Sequence, residues 1–199
     1  MNKSRVEAFT DAVVAIIMTI MVLEFKTPAS AKFSALVHEL PYLFAYMVSF
    51  LFISVAWYNH HYMFSLANRI SKKIYWVNNF WILSMSIIPF GTSWVGAFMN
   101  SRGPEYFYLA VFSIWSIAYW WLSREIMMEL HINHPKTANK IYEMPIYKFL
   151  NSFKSIFITL IIIVMIYFIP EIGIFGALAE LTYFGLKTTK DSDRLFSSN

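Results

Sequence analysis

The feature that most confines this chain is the continuity of its apolar runs, which follow one another with hardly a charge inside them. A hydrocarbon core of about 30 Å is crossed by roughly 20 mostly apolar helical residues, and these runs reach that length. Acidic and basic residues gather in the short gaps between them. Only 14% of the 199 residues are charged and 58% are hydrophobic, where a soluble domain carries about 25% charged residues. Isolated strands cannot serve in lipid, because their backbone groups find no partner within the segment. Barrel strands read as alternating segments of about ten residues, a pattern this sequence lacks. The expected fold is therefore an all-α integral membrane protein.

Six transmembrane helices are predicted, over residues 5–25, 40–66, 74–99, 106–130, 146–169 and 172–186. The last is short and holds Gly173, Gly176, Gly185 and Glu180, so packing against the bundle without a full crossing is the alternative for it. Pro89 and Gly91 predict a kink in the third span, and Pro170 ends the fifth. Charge placement sets the orientation, because cytoplasmic loops collect Lys and Arg. With the N-terminus inside, Lys3, Arg5, Arg69, Lys72, Lys73, Arg124, Lys136, Lys140, Lys148, Lys154, Lys187, Lys190 and Arg194 fall on the inner side. Only Lys26, Lys32 and Arg102 fall outside. Both termini are expected in the cytoplasm of a multi-pass protein of the cell membrane. Residues 1–187 form one transmembrane domain, and 188–199 a polar, disordered cytoplasmic tail. Lys3, Arg5, the run 12–23 and Ala29-Ser30-Ala31 mimic a cleavable signal peptide; Glu7 and Asp11 place acid in its positive region and argue against one.

The same residues exclude several classes of function. Without cysteine there is no disulfide or thiolate–metal chemistry. The net charge of +4 sits at span ends rather than along a basic stripe, so nucleic acid is not an expected partner. No activated nucleophile, phosphate loop or dinucleotide fingerprint occurs, so neither an enzyme nor a cofactor is expected. Adjacent His60 and His61 face directions about 100° apart and make no metal site. Glu125 and Glu129, four residues apart, are read as a cytoplasmic salt-bridge face in preference to a cation site.

The first span stands apart. Its uninterrupted apolar core, 12–23, rises only about 18 Å, so crossing draws Arg5, Glu7, Thr10 and Asp11 to the membrane's inner edge. An Asp near the bilayer centre costs about 2.5–3.5 kcal/mol on insertion scales unless it faces protein or water, which puts this helix inside a bundle. Ile16, Ile20 and Leu23 form one stripe at i, i+4 and i+7, with Thr19 beside it. Spacing alone leaves that stripe as packing surface or as something more.

Arg5-Val6-Glu7-Ala8-Phe9-Thr10-Asp11, running on through Ala15-Ile16 and Thr19 to Leu23-Glu24, resembles the first-helix signature of the lysosomal potassium channel family (transmembrane protein 175): Arg, three variable residues, then Phe-Ser-Asp. Thr10 stands where the family has Ser, which keeps the hydroxyl and adds a methyl. Trp57-Tyr58-Asn59-His60-His61-Tyr62-Met63-Phe64, Asn78-Asn79 and Pro89-Phe90 are similar to the family's second and third helices. The resemblance covers about the first hundred residues and extends to the rest only in hydropathy. It implies a potassium-permeable channel, a homotetramer in the lipid bilayer whose first helices line a central pore. By the same resemblance Ile16, Ile20 and Leu23 form the pore constriction and Thr19 favours potassium, with no metal beyond permeant K+. Rings of Ile gate by dewetting and coordinate nothing, so modest K+ over Na+ selectivity is expected.

Arg5, Thr10 and Asp11, with Phe9, are further expected to join a buried structural and gating network with Trp57, Asn59 or His60 of the second span. Otherwise Arg5 and Asp11 stand unlinked in interfacial water. Outside the channel class, a secondary transporter for a small solute or proton and a non-conducting scaffold also fit a membrane bundle.

Overall fold

The structure is a computed structural model and describes residues 1–25 and 27–187; Lys26 and the tail expected over 188–199 lie outside the described residues. Among these the secondary structure is ten α-helices and no strand. In chain order they are α1 (Lys3–Leu23), α2 (Ser34–Val37), α3 (Leu40–Leu66), α4 (Lys72–Ser86), α5 (Ile88–Ala97), α6 (Arg102–Asn133), α7 (Pro135–Tyr142), α8 (Pro145–Leu150), α9 (Phe153–Phe168) and α10 (Ile172–Leu186).

Local chemistry explains the boundaries. Asn2 caps α1 by accepting from the Ser4 N–H at 3.0 Å, and Ser71 caps α4 by accepting from that of Ile74 at 3.3 Å; both satisfy donors a helix start leaves free. Pro41 lies in the first turn of α3, where a missing N–H costs nothing. The expected kink in the third span is a break at Ile87 between α4 and α5. Pro89 offers no N–H to the carbonyl four residues back and crowds it.

One expectation needs correction. The fifth span is not one helix. Its chain turns at Asn151-Ser152, leaving α8 short and α9 with 16 residues. Ser152 is extended, its hydroxyl donates back to the Phe149 carbonyl at 2.7 Å, and that of Ser155 donates to the Ser152 carbonyl at 2.8 Å. Such bonds give the backbone an alternative to the helical ladder. Three stretches of the described residues are long and apolar enough to cross a membrane, Lys3–Leu23, Phe33–Leu66 and Lys72–Ala97, while Phe153–Phe168 and Ile172–Leu186 are apolar but shorter. Helix α6, the longest at 32 residues, is not among the three; Glu105, Arg124, Glu125, Glu129 and repeated Tyr, Trp and Ser dilute its apolarity.

Helix α6 is the hub, packing against α4, α5, α7, α8, α9 and α10, while α3 lies against α1, α5 and α10. Trp81, Trp115, Tyr108, Tyr119 and Phe64 are the largest fully buried side chains. Phe52 of α3 meets Phe112 and Trp115 of α6 at 4.3 and 4.6 Å between ring centroids. A polar stitch crosses this core, with the Ser49 hydroxyl 2.7 Å from those of both Tyr108 and Thr92. Buried hydroxyls are tolerable in an apolar interior only when they pair in this way. Lys73 and Arg69 pair with Glu125 and Glu129 at 2.9 and 2.6 Å, joining the start of α4 and the loop before it to the far part of α6.

Helices α3 and α5 approach each other closely. A Cβ on Gly96 would lie 2.8 Å from the Tyr42 Cα, whereas one on Gly91 would meet nothing nearer than Tyr108 Cδ2 at 3.5 Å. Backbone cannot step aside as a side-chain tip can. Gly96→Ala is therefore expected to lower stability by about 1–3 kcal/mol, the usual cost of overpacking, and Gly91→Ala to change it little; thermal unfolding of the two variants in detergent checks the contrast.

Candidate functional site

Helix α1 has two faces of opposite character. Val6, Thr10, Val14, Ile17 and Met21 are buried against the bundle. On the other side Ile16, Ile20 and Leu23 are 54%, 41% and 78% exposed. Arg5 and Phe9 are exposed as well. At 100° per residue, Arg5, Phe9, Ile16, Ile20 and Leu23 all fall within one narrow stripe. Thr19 lies at its edge, exposed, and its hydroxyl donates to the Ile16 carbonyl at 2.9 Å. The proton is thus committed to the helix, and Thr19 offers the outside its oxygen lone pairs.

The inner face is held by a hydrogen-bond chain whose direction can be worked out. Thr10 is fully buried, and its hydroxyl donates to the Val6 carbonyl at 2.8 Å. Having given up its only proton, Thr10 Oγ1 must accept, and it does so from Asn78 Nδ2 at 2.9 Å. The Asn78 amide is thereby oriented, with Oδ1 toward His60 Nε2 at 2.8 Å. An acceptor at that place makes Nε2 the protonated nitrogen of the His60 ring. The ring is clamped between Trp81 and Phe64, stacked on them at 4.5 and 4.1 Å. Hydrogen bonding thus runs in one sense from α3 through α4 into α1. Beside it, Trp57 Nε1 donates to Asp11 Oδ1 at 2.8 Å and stacks on His61 at 5.6 Å.

Of the residues expected in the network, the structure brings together Thr10, His60, Asp11 and Trp57, in two separate pieces. Arg5 and Phe9 are outside it because they lie on the exposed stripe. Asn59 is outside it because its amide donates to the Val55 carbonyl of its own helix at 2.8 Å. Lys3 reaches across where Arg5 does not, donating to the Ser65 carbonyl at 3.3 Å. Asn78, the central link, was visible in the sequence as an amide deep in an apolar span, but nothing in its spacing connects it to Thr10. No cluster of three or more His, Asp or Glu able to hold a metal occurs among the described residues.

An all-helical set of described residues with three membrane-length apolar stretches, the first held along one side and bare along the other, defines a helical membrane protein. The family described as endosomal/lysosomal potassium channel TMEM175 matches residues 5–89, which carry α1, α3 and α4. A potassium channel of Chryseobacterium sp. (strain P1-3) is 38% identical over 104 residues, 52% of this chain and 54% of that one. One of Streptomyces collinus is 33% identical over 123 residues, 59% of this chain and 60% of that one. The chain thus spans a little over half the length of these relatives. The crystal structure of a lysosomal potassium-selective channel TMEM175 homolog from Chamaesiphon minutus superposes with a TM-score of 0.76 at 24% identity, covering 92% of this chain and 96% of that one; at that identity the likeness is one of fold. The first part of the chain is thus similar to the TMEM175 potassium channel family and to bacterial proteins named as potassium channels.

The directed chain makes a sharp prediction. Asn78→Ala orphans His60 Nε2 and leaves Thr10 Oγ1 with only its bond to the Val6 carbonyl; a buried unsatisfied group costs about 1–3 kcal/mol. Asn59→Ala removes only a bond within one helix and is expected to cost well under half as much. Thermal unfolding of the two variants in the same detergent checks the ranking.

Proposed function

We propose that this chain is the subunit of a potassium-permeable cation channel, a homotetramer in the cell membrane with α1 of each copy lining a central pore. The single observation that carries the proposal is the exposed apolar stripe of α1, on the face opposite the one stitched to the bundle. A helix apolar on both sides belongs in the interior of a larger assembly, and copies of α1 around an axis supply that interior. The family match over residues 5–89 and relatives named as potassium channels support the choice of ion. Six crossings per subunit come from α1, α3, the broken α4–α5 pair, α6, α8 with α9, and α10. The thirteen basic residues on one side against three on the other favour cytoplasmic termini.

On this proposal the stripe from Ile16 to Leu23 makes a constriction about 10 Å long, from seven helical steps of about 1.5 Å. Apolar rings exclude water when narrow and bind no ion. Recognition of the cation falls to Thr19, whose oxygen faces outward with its proton turned back into the helix. Partial replacement of a hydration shell by hydroxyl oxygens gives a modest preference for K+ over Na+. The polar stitch on the inner face holds α1 at one rotation, so the rings stay aimed at the axis.

Purified protein in liposomes, with potassium and sodium flux measured separately, tests this. Ile16→Asn is expected to raise flux at least several-fold by wetting the constriction. Thr19→Ala is expected to conduct while losing preference for potassium. Flux absent throughout, or unmoved by both substitutions, overturns the pore assignment, and native mass spectrometry showing no four-copy species overturns the assembly.

A further inference from the structure

A cavity of about 450 Å³ lies away from α1, walled by α6, α9 and α10 and closed at one end by Phe149 and Leu150. Its volume is in the range that holds a drug-sized ligand. The α10 wall is Gly173, Gly176, Ala177 and Glu180, at i, i+3, i+4 and i+7 on one face. The small residues leave the room, and Glu180 brings a carboxylate into it.

Among the described residues nothing neutralises that carboxylate. No Lys or Arg lines the cavity, and Glu180 has no hydrogen bond or ion pair among the described residues. The other buried carboxylate on this side, Glu105, is engaged, accepting from the Ile174 N–H at 3.0 Å. An ionisable group set among apolar helices is expensive and calls for a partner.

The neighbouring polar groups say what kind. Ser113, Ser116, Ser155 and Thr159 line the cavity, and three of them, Ser113, Ser155 and Thr159, donate their protons back to a carbonyl of their own segment, at 2.8, 2.8 and 2.9 Å. Trp120 gives its indole proton to Asn151 Oδ1 at 3.2 Å. These three hydroxyls and Glu180 therefore present oxygen lone pairs to the cavity, and Ser116 is the one lining serine or threonine whose proton is not turned into its own segment. Such a lining suits a group with several protons to donate and no lone pair, which describes an ammonium. It disfavours phosphate and carboxylate, and so disfavours the headgroup of an anionic lipid. The remainder of the wall, including Leu109, Phe112, Ile156 and Leu160, suits a hydrocarbon chain.

We propose that this cavity binds a single-chain amphiphilic amine, its ammonium against Glu180 and its chain along α6 and α9. The site is independent of the pore stripe, and its occupancy does not depend on conduction.

Trp120 in the wall supplies a probe of position. Protein in phosphatidylcholine nanodiscs is titrated with octylamine carrying a terminal bromine, a quencher of indole fluorescence, and in parallel with the matching brominated alcohol and carboxylic acid. Saturable quenching by the amine is expected, at least tenfold tighter than by the alcohol or the acid. Trp120→Phe is expected to remove most of the saturable signal, and Glu180→Gln to weaken amine binding at least tenfold while leaving the alcohol unaffected. Equal affinity for amine and alcohol in the unmodified protein overturns the proposal even should Glu180→Gln fail to fold. Quenching that climbs without saturation, a Trp120→Phe signal left intact, or amine binding unchanged in folded Glu180→Gln overturns it as well. These readouts involve no ion flux, so failure here is separable from failure of the channel assignment.

Discussion

In a medium without water, a polar group has to find its partner inside the protein. The rest of this structure depends on how that is met at one place, the junction of α1, α3 and α4. The Thr10 hydroxyl is turned into its own helix, which forces the Asn78 amide into one orientation and thereby fixes the tautomer of His60. No member of that chain can turn over without orphaning another. Helix α1 is therefore held in rotation as well as position. What the outer face presents follows from that, because a turn of even one residue would bury Ile16 and bring out Ile17. Trp57 and Asp11 guard the flank of the same junction.

Much of this was legible in the sequence. Helix α3 occupies 40–66 as expected, since Pro41 at one end and the polar loop at the other leave the apolar run no freedom. The stripe of α1 follows from spacing, and so did more than was first read from it. The same 100° step that aligns Ile16, Ile20 and Leu23 also carries Arg5 and Phe9 onto the exposed side, against their expected place in a buried network. Glu125 and Glu129 were placed on a salt-bridge face, and Lys73 and Arg69 meet them there.

The remainder was hidden for identifiable reasons. Hydropathy averages over a window and does not register a serine that bends its own backbone, so Ser152 divides a run that reads as continuous. It also undercounts α6, whose tyrosines and tryptophans pair and stack within the core. Asn78 is a matter of tertiary geometry, because a lone amide in an apolar helix announces a partner without naming it. The lone pairs around Glu180 belong to the same category: each hydroxyl's proton direction is set by local helix geometry that spacing does not disclose.

The division at Ser152 has a consequence for the surrounding membrane. Helix α3, with 27 residues, rises about 40 Å, while α9 with 16 rises about 24 Å, at 1.5 Å per residue. A hydrocarbon core of about 30 Å lies between the two. In the proposed membrane arrangement, lipid beside α9 and α10 meets a lower apolar wall than lipid beside α3, and no flat bilayer matches both. The longer helix adapts by tilting and the shorter side by drawing the leaflets together, each at a small cost per ångström. Membrane thickness thus becomes a mechanical load borne unevenly around the protein's circumference, and heaviest on the side where the chain is split.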